Sequence, residues 1–276
     1  SGPAVLASLA SPLDIAIGAS GSIYIADTGN HRVRMIRNGI ITTVAGNGVQ
    51  DYSGDRGQAT AASLNSPVGV ALDVTENLYI ADSFNNVIRM VLKSTGIITT
   101  FIGNGFFGFG GDDSIASSMS VLLGRPLGII FTASGNLFIL DSGNHRIRIV
   151  MKDTGIISTV IGNVIRSYGG DGGKAVSASI DVPLGIAEDA VGSIYIADSF
   201  NHRVRMIRNG IITTVAGNGV QDYTGDKGQA TAASIDTPSG VALDVSGNIF
   251  IADSGNNRIR MVLKSTGIIT TVATQV

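Results

Sequence analysis

Short apolar runs rich in Ile, Val and Leu recur along the chain, and polar turns of three to five residues separate them. One stretch contains four such runs: Gly69 to Val74, Leu78 to Ala81, Val87 to Leu92 and Ile97 to Ile102. Their length and β-branched content are typical of strands. Because the turns between them are so short, neighbouring strands must pair antiparallel. The pattern therefore predicts a four-stranded meander.

This unit occurs five times, and a proline opens each copy. These prolines are Pro12, Pro67, Pro126, Pro183 and Pro238. A repeat of 40 to 60 residues is typical of a propeller or solenoid. We expect an all-β fold: a β-propeller of five four-stranded antiparallel blades, forming one domain over residues 1–276. The expected blades are 12–56, 67–113, 126–172, 183–227 and 238–276.

The first residues of the chain match the end of the segment that connects two blades. Residues 2–12 resemble residues 57–67 in sequence, while the chain ends on a run of fourth-strand character. We therefore expect residues 1–11 to complete the connection between the last blade and the first, and so to close a ring.

An exact duplication complicates the blade count. Residues 31–52 recur unchanged at 202–223, and residues 90–100 recur at 261–271, both offset by three blades. Units four and five therefore copy units one and two. A six-bladed ring, or a fragment of a longer repeat protein, stays open as an alternative to five blades.

Composition limits the function classes. The chain has 276 residues, of which 44% are hydrophobic, 14% are charged and none is cysteine, and its net charge is -2. We expect neither nucleic acid as a partner nor membrane insertion, because there is no basic excess and no apolar run long enough to span a bilayer. The absence of cysteine excludes disulfides and a thiol nucleophile.

The repeat has a recognisable phrase, most complete in residues 238–260: Pro-x-Gly-Val-Ala-x-Asp, then Gly-Asn-x-Phe-Ile-Ala-Asp-Ser-x-Asn-Asn-Arg-Ile-Arg. It resembles the NHL repeat, and the long connections resemble the variant found in teneurins and bacterial surface proteins. The resemblance implies a propeller, a protein or peptide partner, and an extracellular or cell-surface location. The family also includes RNA-binding domains and a zinc-dependent lyase, so the function stays open.

Three polar positions recur in every unit. They are the aspartates that follow the second strand (Asp27, Asp82, Asp141, Asp198, Asp253), the asparagines of the next turn (Asn30, Asn85, Asn144, Asn201, Asn256) and the third-strand arginines (Arg34, Arg89, Arg148, Arg205, Arg260). A catalytic residue is needed once, whereas a residue present in each blade braces that blade. We interpret all three sets as structural.

Other recurring polar groups allow two interpretations. The connection aspartates Asp55, Asp112, Asp171 and Asp226 precede an Ala-rich segment that we expect to form a short helical turn. We expect them to cap that turn, with a calcium-binding loop as the alternative. The histidines His31, His145 and His202 share one place in their units, so in a ring they lie too far apart to share a zinc ion, and we expect each to stabilise its own turn.

A second metal hypothesis concerns the end of each first strand. Asp73, Asp189 and Asp244 occupy this place in three units and could hold calcium or another hard cation near a propeller axis. Aspartate in an Asp-x-x-Gly-Asn turn is also ordinary hairpin chemistry, which we favour. This axial site is the basis of the alternative function, a metal-dependent hydrolase or lyase.

Aromatic residues distinguish some units from the others. The connection of the second unit is two residues longer and contains Phe106, Phe107 and Phe109, and Phe84 and Phe200 replace glycine in two hairpin turns. We expect these side chains to contact a partner, with packing against the next blade as the alternative.

The sequence favours a non-catalytic scaffold that binds a protein or a ligand, with no cofactor. The alternatives are the axial metal enzyme, which would use calcium or another cation, and a structural repeat protein that self-associates.

Overall fold

The computed structural model describes residues 2–274, so Ser1, Gln275 and Val276, at the ends of the expected segments 1–11 and 238–276, lie outside the described residues. Over residues 2–274 the chain forms five antiparallel sheets and no α-helix. Each sheet contains one four-stranded meander, so each is one blade. The fold is the predicted all-β propeller with five four-stranded blades.

The strands of blade 2 begin and end close to the predicted places, and the other blades repeat the same order. Blade 1 contains Pro12–Ile17, Ile23–Asp27, Arg32–Arg37 and Ile40–Ala45; blade 2 contains Pro67–Leu72, Leu78–Asp82, Val87–Val91 and Ile98–Ile102; blade 3 contains Ile129–Phe131, Leu137–Asp141, Arg146–Val150 and Ile156–Ile161. Blade 4 contains Pro183–Glu188, Ile194–Asp198, Arg203–Arg208 and Ile211–Ala216; blade 5 contains Pro238–Leu243, Ile249–Asp253, Arg258–Val262 and Ile269–Thr274.

Each second strand is joined to the third by one 3₁₀ turn. These turns are Thr28–Asn30, Ser83–Asn85, Ser142–Asn144, Ser199–Asn201 and Ser254–Asn256. The next residue is always His or Asn with positive φ, for example 51° at His31 and 54° at Asn86. Asn and His adopt this left-handed conformation more readily than other side chains. The turn therefore explains why only these two residue types occupy the position.

Most connections between blades contain the short helical turn that the sequence predicts. The Ala-rich segments form 3₁₀ turns at Ala4–Leu6, Ala59–Ala61, Ala175–Ser177 and Ala230–Ala232. Just before such a turn the chain pairs with the fourth strand of the following blade, as in Gln58 with Ile97 and Gln229 with Ile268. At the start of the chain, Gly2–Pro3 pairs in the same way with Ile40 and Ile41 of blade 1. That these first residues close a ring stays a prediction.

The connection between blades 2 and 3 is different. It has a two-residue strand, Ser114–Ile115, paired with Ile156 and Ile157, in place of the 3₁₀ turn. A further turn follows, in which Ser118 donates its N–H to the Ile115 carbonyl and Val121 donates to Ser118. The two extra residues are accommodated here, and Met119 in this turn is exposed.

Contacts divide the chain into two compact units: residues 1–144 with 149–158, and residues 145–148 with 159–276. In the first unit, blade 2 is buried between neighbours, and Ile80, Ile88 and Ile102 are fully covered. In the second unit, a separate core includes Val204, Ile235 and Ile251. Branched aliphatic side chains make both cores, as the strand pattern predicts.

None of the helical segments among residues 2–274 is long and apolar enough to cross a membrane.

Candidate functional site

The recurring aspartates, which are the last residues of the second strands, are completely buried. Asp82 accepts the backbone N–H of Asn65 at 2.7 Å and the side-chain amide of Asn85 at 2.9 Å. Asp198 accepts the N–H of Asp181 at 2.8 Å and the amide of Asn201 at 2.9 Å. Each carboxylate therefore ties the incoming connection to the hairpin turn of its own blade.

The third-strand arginines lie beside these carboxylates. Arg89, Arg148, Arg205 and Arg260 are fully buried. Arg260 Nη1 lies 3.2 Å from Asp253 Oδ2, and its Nη2 lies 2.7 Å from Asp226 Oδ1. Arg260 also donates to the carbonyls of Ser234 and Thr224, so one guanidinium joins four acceptors. This use of all sides of the fork is the bracing that arginine can supply and lysine cannot.

Burial shifts the pKa of the carboxyls in this network. Desolvation raises the pKa of Asp82 and of Asp198 to about 6, against the opposing effect of the hydrogen bonds and of the arginine charge. The two carboxyls face the guanidinium groups of Arg89 and Arg205, at 3.4 Å and 3.5 Å.

The capping hypothesis is wrong for three of the connection aspartates, Asp55, Asp171 and Asp226. Gln58 holds the N-cap position of the 3₁₀ turn, and it forms no side-chain cap bond. Asp55 instead pairs with Arg89 at 2.7 Å, and Asp171 pairs with Arg205 at 2.5 Å. The buried guanidinium is a stronger partner for a carboxylate than exposed turn N–H groups are.

In three blades, the hydroxyl that follows the recurring aspartate forms a bond to the next blade that the sequence analysis missed. Ser83 donates to the carbonyl of Pro126 in blade 3 at 2.5 Å, and Thr28 donates to that of Pro67 in blade 2 at 2.7 Å. In the second unit, Ser199 donates to Pro238 at 2.6 Å. A Ser or Thr follows the recurring aspartate in every blade, and this small hydroxyl residue was the available signal.

The histidines lie at the ends of their hairpin turns. His31 Nδ1 accepts the N–H of Ser66 at 3.1 Å, and His202 Nδ1 accepts that of Thr237 at 3.2 Å. In blade 2, Asn86 Oδ1 accepts the N–H of Arg125 at 3.1 Å. A side-chain acceptor at this position therefore holds the connection that leads to the following blade.

The three aspartates of the axial hypothesis bond within their own hairpins. Asp73 accepts the N–H groups of Thr75 and Asn77, both at 2.9 Å. Asp189 and Asp244 accept equivalent bonds between 2.7 and 3.0 Å. Across residues 2–274, no three His, Asp or Glu side chains come together as a metal ligand set.

The aromatic residues of the second connection are exposed. Phe106 is 73% exposed, Phe107 60% and Phe84 50%, whereas Phe109 is more covered at 38%. Phe200 is 53% exposed in the equivalent turn of blade 4, in the second unit. Isolated apolar residues at a surface are normal, but a group of large ones is not.

One hydrogen bond links the turn that carries Phe84 to the segment that carries Phe106 and Phe107. Asn86, two residues after Phe84, donates its side-chain amide to the Gly105 carbonyl at 3.2 Å. The Phe107 ring lies against Gly143, where an added Cβ would be 3.0 Å from its Cε2 atom. We name Phe84, Phe106, Phe107 and Arg125 the aromatic patch.

Arg125 is the residue of this patch that the sequence analysis missed. Its guanidinium lies 4.6 Å from the centroid of the Phe84 ring, a cation–π contact. The available signal was its place before Pro126, where the other units have Ser11, Ser66, Val182 and Thr237.

Family models match most of the chain. The teneurin NHL domain matches residues 47–122 and 164–223, and the NHL repeat matches residues 9–35 and 236–260. The chain belongs to the NHL-repeat family. The matches to the NHL repeat include the aspartates and arginines described above: Asp27 and Arg34 in one, Asp253 and Arg260 in the other.

Relatives of this NHL chain are longer proteins. It is 31% identical over 255 residues to Protein SUPPRESSOR OF QUENCHING 1, chloroplastic, of Arabidopsis thaliana, covering 87% of this chain and 24% of that protein. It is 28% identical over 291 residues to Teneurin-4 of Mus musculus, covering 89% of this chain and 10% of that protein. The NHL chain thus spans a quarter or less of these relatives.

Solved structures share the fold. An auxiliary nutrient binding protein from Bacteroides thetaiotaomicron VPI-5482 matches with a TM-score of 0.68 and 19% identity, over 98% of this chain and 61% of that one. At this identity the likeness concerns the fold alone.

Proposed function

We propose that this NHL propeller is a non-catalytic scaffold that binds a protein or peptide partner through the aromatic patch. The observation that supports this function is the exposure of Phe84, Phe106 and Phe107 on segments of the first unit that are hydrogen-bonded together. Aromatic residues and arginine are the side chains enriched at the energetic centres of protein interfaces.

The composition of the patch indicates the kind of partner. Three rings provide apolar area at a small entropic cost, and Arg125 adds a cation over the Phe84 ring. A partner segment with an apolar anchor residue beside a carboxylate would match both features. The recurring polar groups are engaged inside the blades, so they leave the patch as the favoured contact surface.

Selection from a random peptide display library, followed by affinity measurements, tests this proposal. Peptides selected on the native chain should lose affinity by at least about tenfold for the double variant Phe106→Ser, Phe107→Ser. The matched control is Val49→Ser, because Val49 occupies the place of Phe106 in the first connection and is also exposed. Equal affinity for the native chain and the double variant would contradict the proposal.

A further inference from the structure

A second apolar feature lies between blades 2 and 3, within the first unit. It is a cavity of about 570 Å³. Its walls include Leu72, Tyr79, Phe101, Phe131, Leu137 and Met151. This volume falls in the range of pockets that enclose small-molecule ligands.

Three aromatic rings form one wall of the cavity. Tyr79 meets Phe101 at 5.1 Å between ring centroids and Phe131 at 4.9 Å, both edge to face. The second-strand aromatic recurs in every blade, but the two phenylalanines do not. Phe101 stands where the other blades have Val44, Val160, Val215 and Val272, and Phe131 where they have Ile17, Leu72, Glu188 and Leu243.

These two replacements enlarge the side chains, yet the space beside them stays unfilled. Core positions of a propeller are normally packed without voids of this size. Larger side chains that line an open cavity, rather than closing it, are typical of a ligand site.

The polar groups at the mouth of the cavity are not equally available. Asp73 accepts bonds from Thr75, Asn77 and the Tyr79 hydroxyl. Burial opposes ionisation of Asp73, but these hydrogen bonds outweigh it and lower the pKa of its carboxyl. Burial, then the charge of Asp73, raises the pKa of Tyr79 to about 12, so the hydroxyl stays a neutral donor to Asp73.

Lys152 is the cation at this mouth. Its stem crosses Gly135, where an added Cβ would lie 2.7 Å from Cδ. The equivalent lysine of blade 2, Lys93, pairs with Glu76, but glycine replaces that acid in blade 3. Within the described part of the chain, the Lys152 ammonium has no carboxylate at ion-pair distance, so its donors are free for a ligand.

We propose that this cavity binds a small aromatic carboxylate. The ring of the ligand would lie against Tyr79, Phe101 and Phe131, while its carboxylate would accept hydrogen bonds from Lys152. A ligand cation is disfavoured because the oxygens of Asp73 already have donors. This site is separate from the aromatic patch, so the proposal does not depend on the proposed function.

Three naphthalene probes test the class of ligand: 2-naphthoate, 2-naphthalenemethanol and 2-naphthylmethylammonium. Saturation-transfer NMR and isothermal titration calorimetry would measure their binding to the full chain. We expect 2-naphthoate to bind most tightly and the ammonium probe at least about tenfold more weakly. No binding of 2-naphthoate at millimolar concentration, or tighter binding of the ammonium probe, would overturn the proposal.

Variants with internal controls locate the site. Lys152→Ala should weaken 2-naphthoate binding about three- to tenfold and leave 2-naphthalenemethanol binding unchanged. The control Lys264→Ala, at the same place in blade 5, should leave the binding of both probes unchanged. Leu72→Trp should fill the cavity and abolish binding of both probes, while Leu243→Trp should not. Binding that survives Leu72→Trp in a folded protein would place the probe elsewhere and refute the site.

A milder variant covers the case in which Leu72→Trp does not fold. Phe101→Val with Phe131→Leu gives blade 2 and blade 3 the residues that blade 5 has at these positions. We expect affinity for both naphthalene probes to fall at least about fivefold, because the aromatic wall is lost. Unchanged affinity for both probes would overturn the proposal.

Discussion

Arg34 and Arg205 allow a sharp test of the bracing network, because they lie in identical sequence segments with different partners. Residues 31–52 and 202–223 have the same sequence. Arg205 is fully buried and donates to Asp171, Asp198, and the carbonyls of Ser179 and Gly169. Arg34 is 11% exposed in its side chain, and the carboxylate of Asp27 is 3.9 Å away.

Replacement by methionine keeps most of the apolar stem of arginine and removes the charge. We expect Arg205→Met to cost about 3–5 kcal/mol, because it leaves a buried carboxylate without its cation. Arg34→Met should cost below about 1 kcal/mol, since the ion pair it breaks is long and partly exposed. Asp27 also keeps Arg32, at 3.1 Å.

Urea unfolding followed by tyrosine fluorescence and circular dichroism measures both variants. Hydrogen exchange would show whether the loss is confined to the blade that carries the substitution. Equal destabilisation by the two variants would refute the reasoning, because it would mean that arginine acts through contacts within its own strand. The double variant Asp171→Asn, Arg205→Met should cost less than the sum of its two single variants, since the two residues share an ion pair.

Three further predictions concern packing, pH and metal. Gly69→Ala should destabilise the protein by about 1–3 kcal/mol in urea unfolding, because the new Cβ would lie 2.7 Å from the Leu127 carbonyl oxygen. The control Gly240→Ala should be nearly neutral, because its Cβ would meet only a side chain, at 3.4 Å. Equal costs for the two variants would contradict this prediction. Burial raises the pKa of the Asp14 carboxyl from 3.8 to about 6, so the native state binds this proton more tightly than the unfolded state does. The native state therefore loses stability as the pH rises from 3.8 to about 6. Asp14→Asn should therefore gain stability over the native chain between pH 4 and pH 7, by about 1–2 kcal/mol after solvent screening, and a pH-independent difference would contradict this. Elemental analysis of the purified chain should find no stoichiometric calcium, because the axial aspartates already accept bonds from their own hairpins; one bound calcium per chain would restore the axial hypothesis.

Local pattern was sufficient to predict the blades. Leu78–Asp82 was predicted as Leu78 to Ala81, and Ile98–Ile102 as Ile97 to Ile102, because apolar runs end where Gly, Asn and Asp begin. The first strand of blade 3 is shorter than its counterparts, at Ile129–Phe131. Before it, Leu127 and Gly128 still bond to Leu140, so the pairing continues beyond the regular strand.

Interactions between segments that are distant in the sequence could not be predicted in the same way. The partner of Asp55 is Arg89, 34 residues further along the chain, and the local sequence instead favoured a capped turn. The cavity between blades 2 and 3 depends on Phe101 and Phe131 meeting Tyr79 from different strands. The sequence shows that both phenylalanines are unusual for their positions, but only the packing shows that they line one space.

The duplicated segments also determine how the number of blades could change during evolution. Genetic exchange between the segment at residue 31 and its copy at residue 202 would delete or add 171 residues, which is three whole blades. At the junction, the strand Ile23–Asp27 would meet the copy Arg203–Arg208 in place of Arg32–Arg37. Both third strands have the sequence RVRMIR, and both second strands have the sequence IYIAD. The hybrid blade would therefore keep the strand sequences that pair in blades 1 and 4, so such an exchange would change the number of blades by three without altering the strand register at the junction.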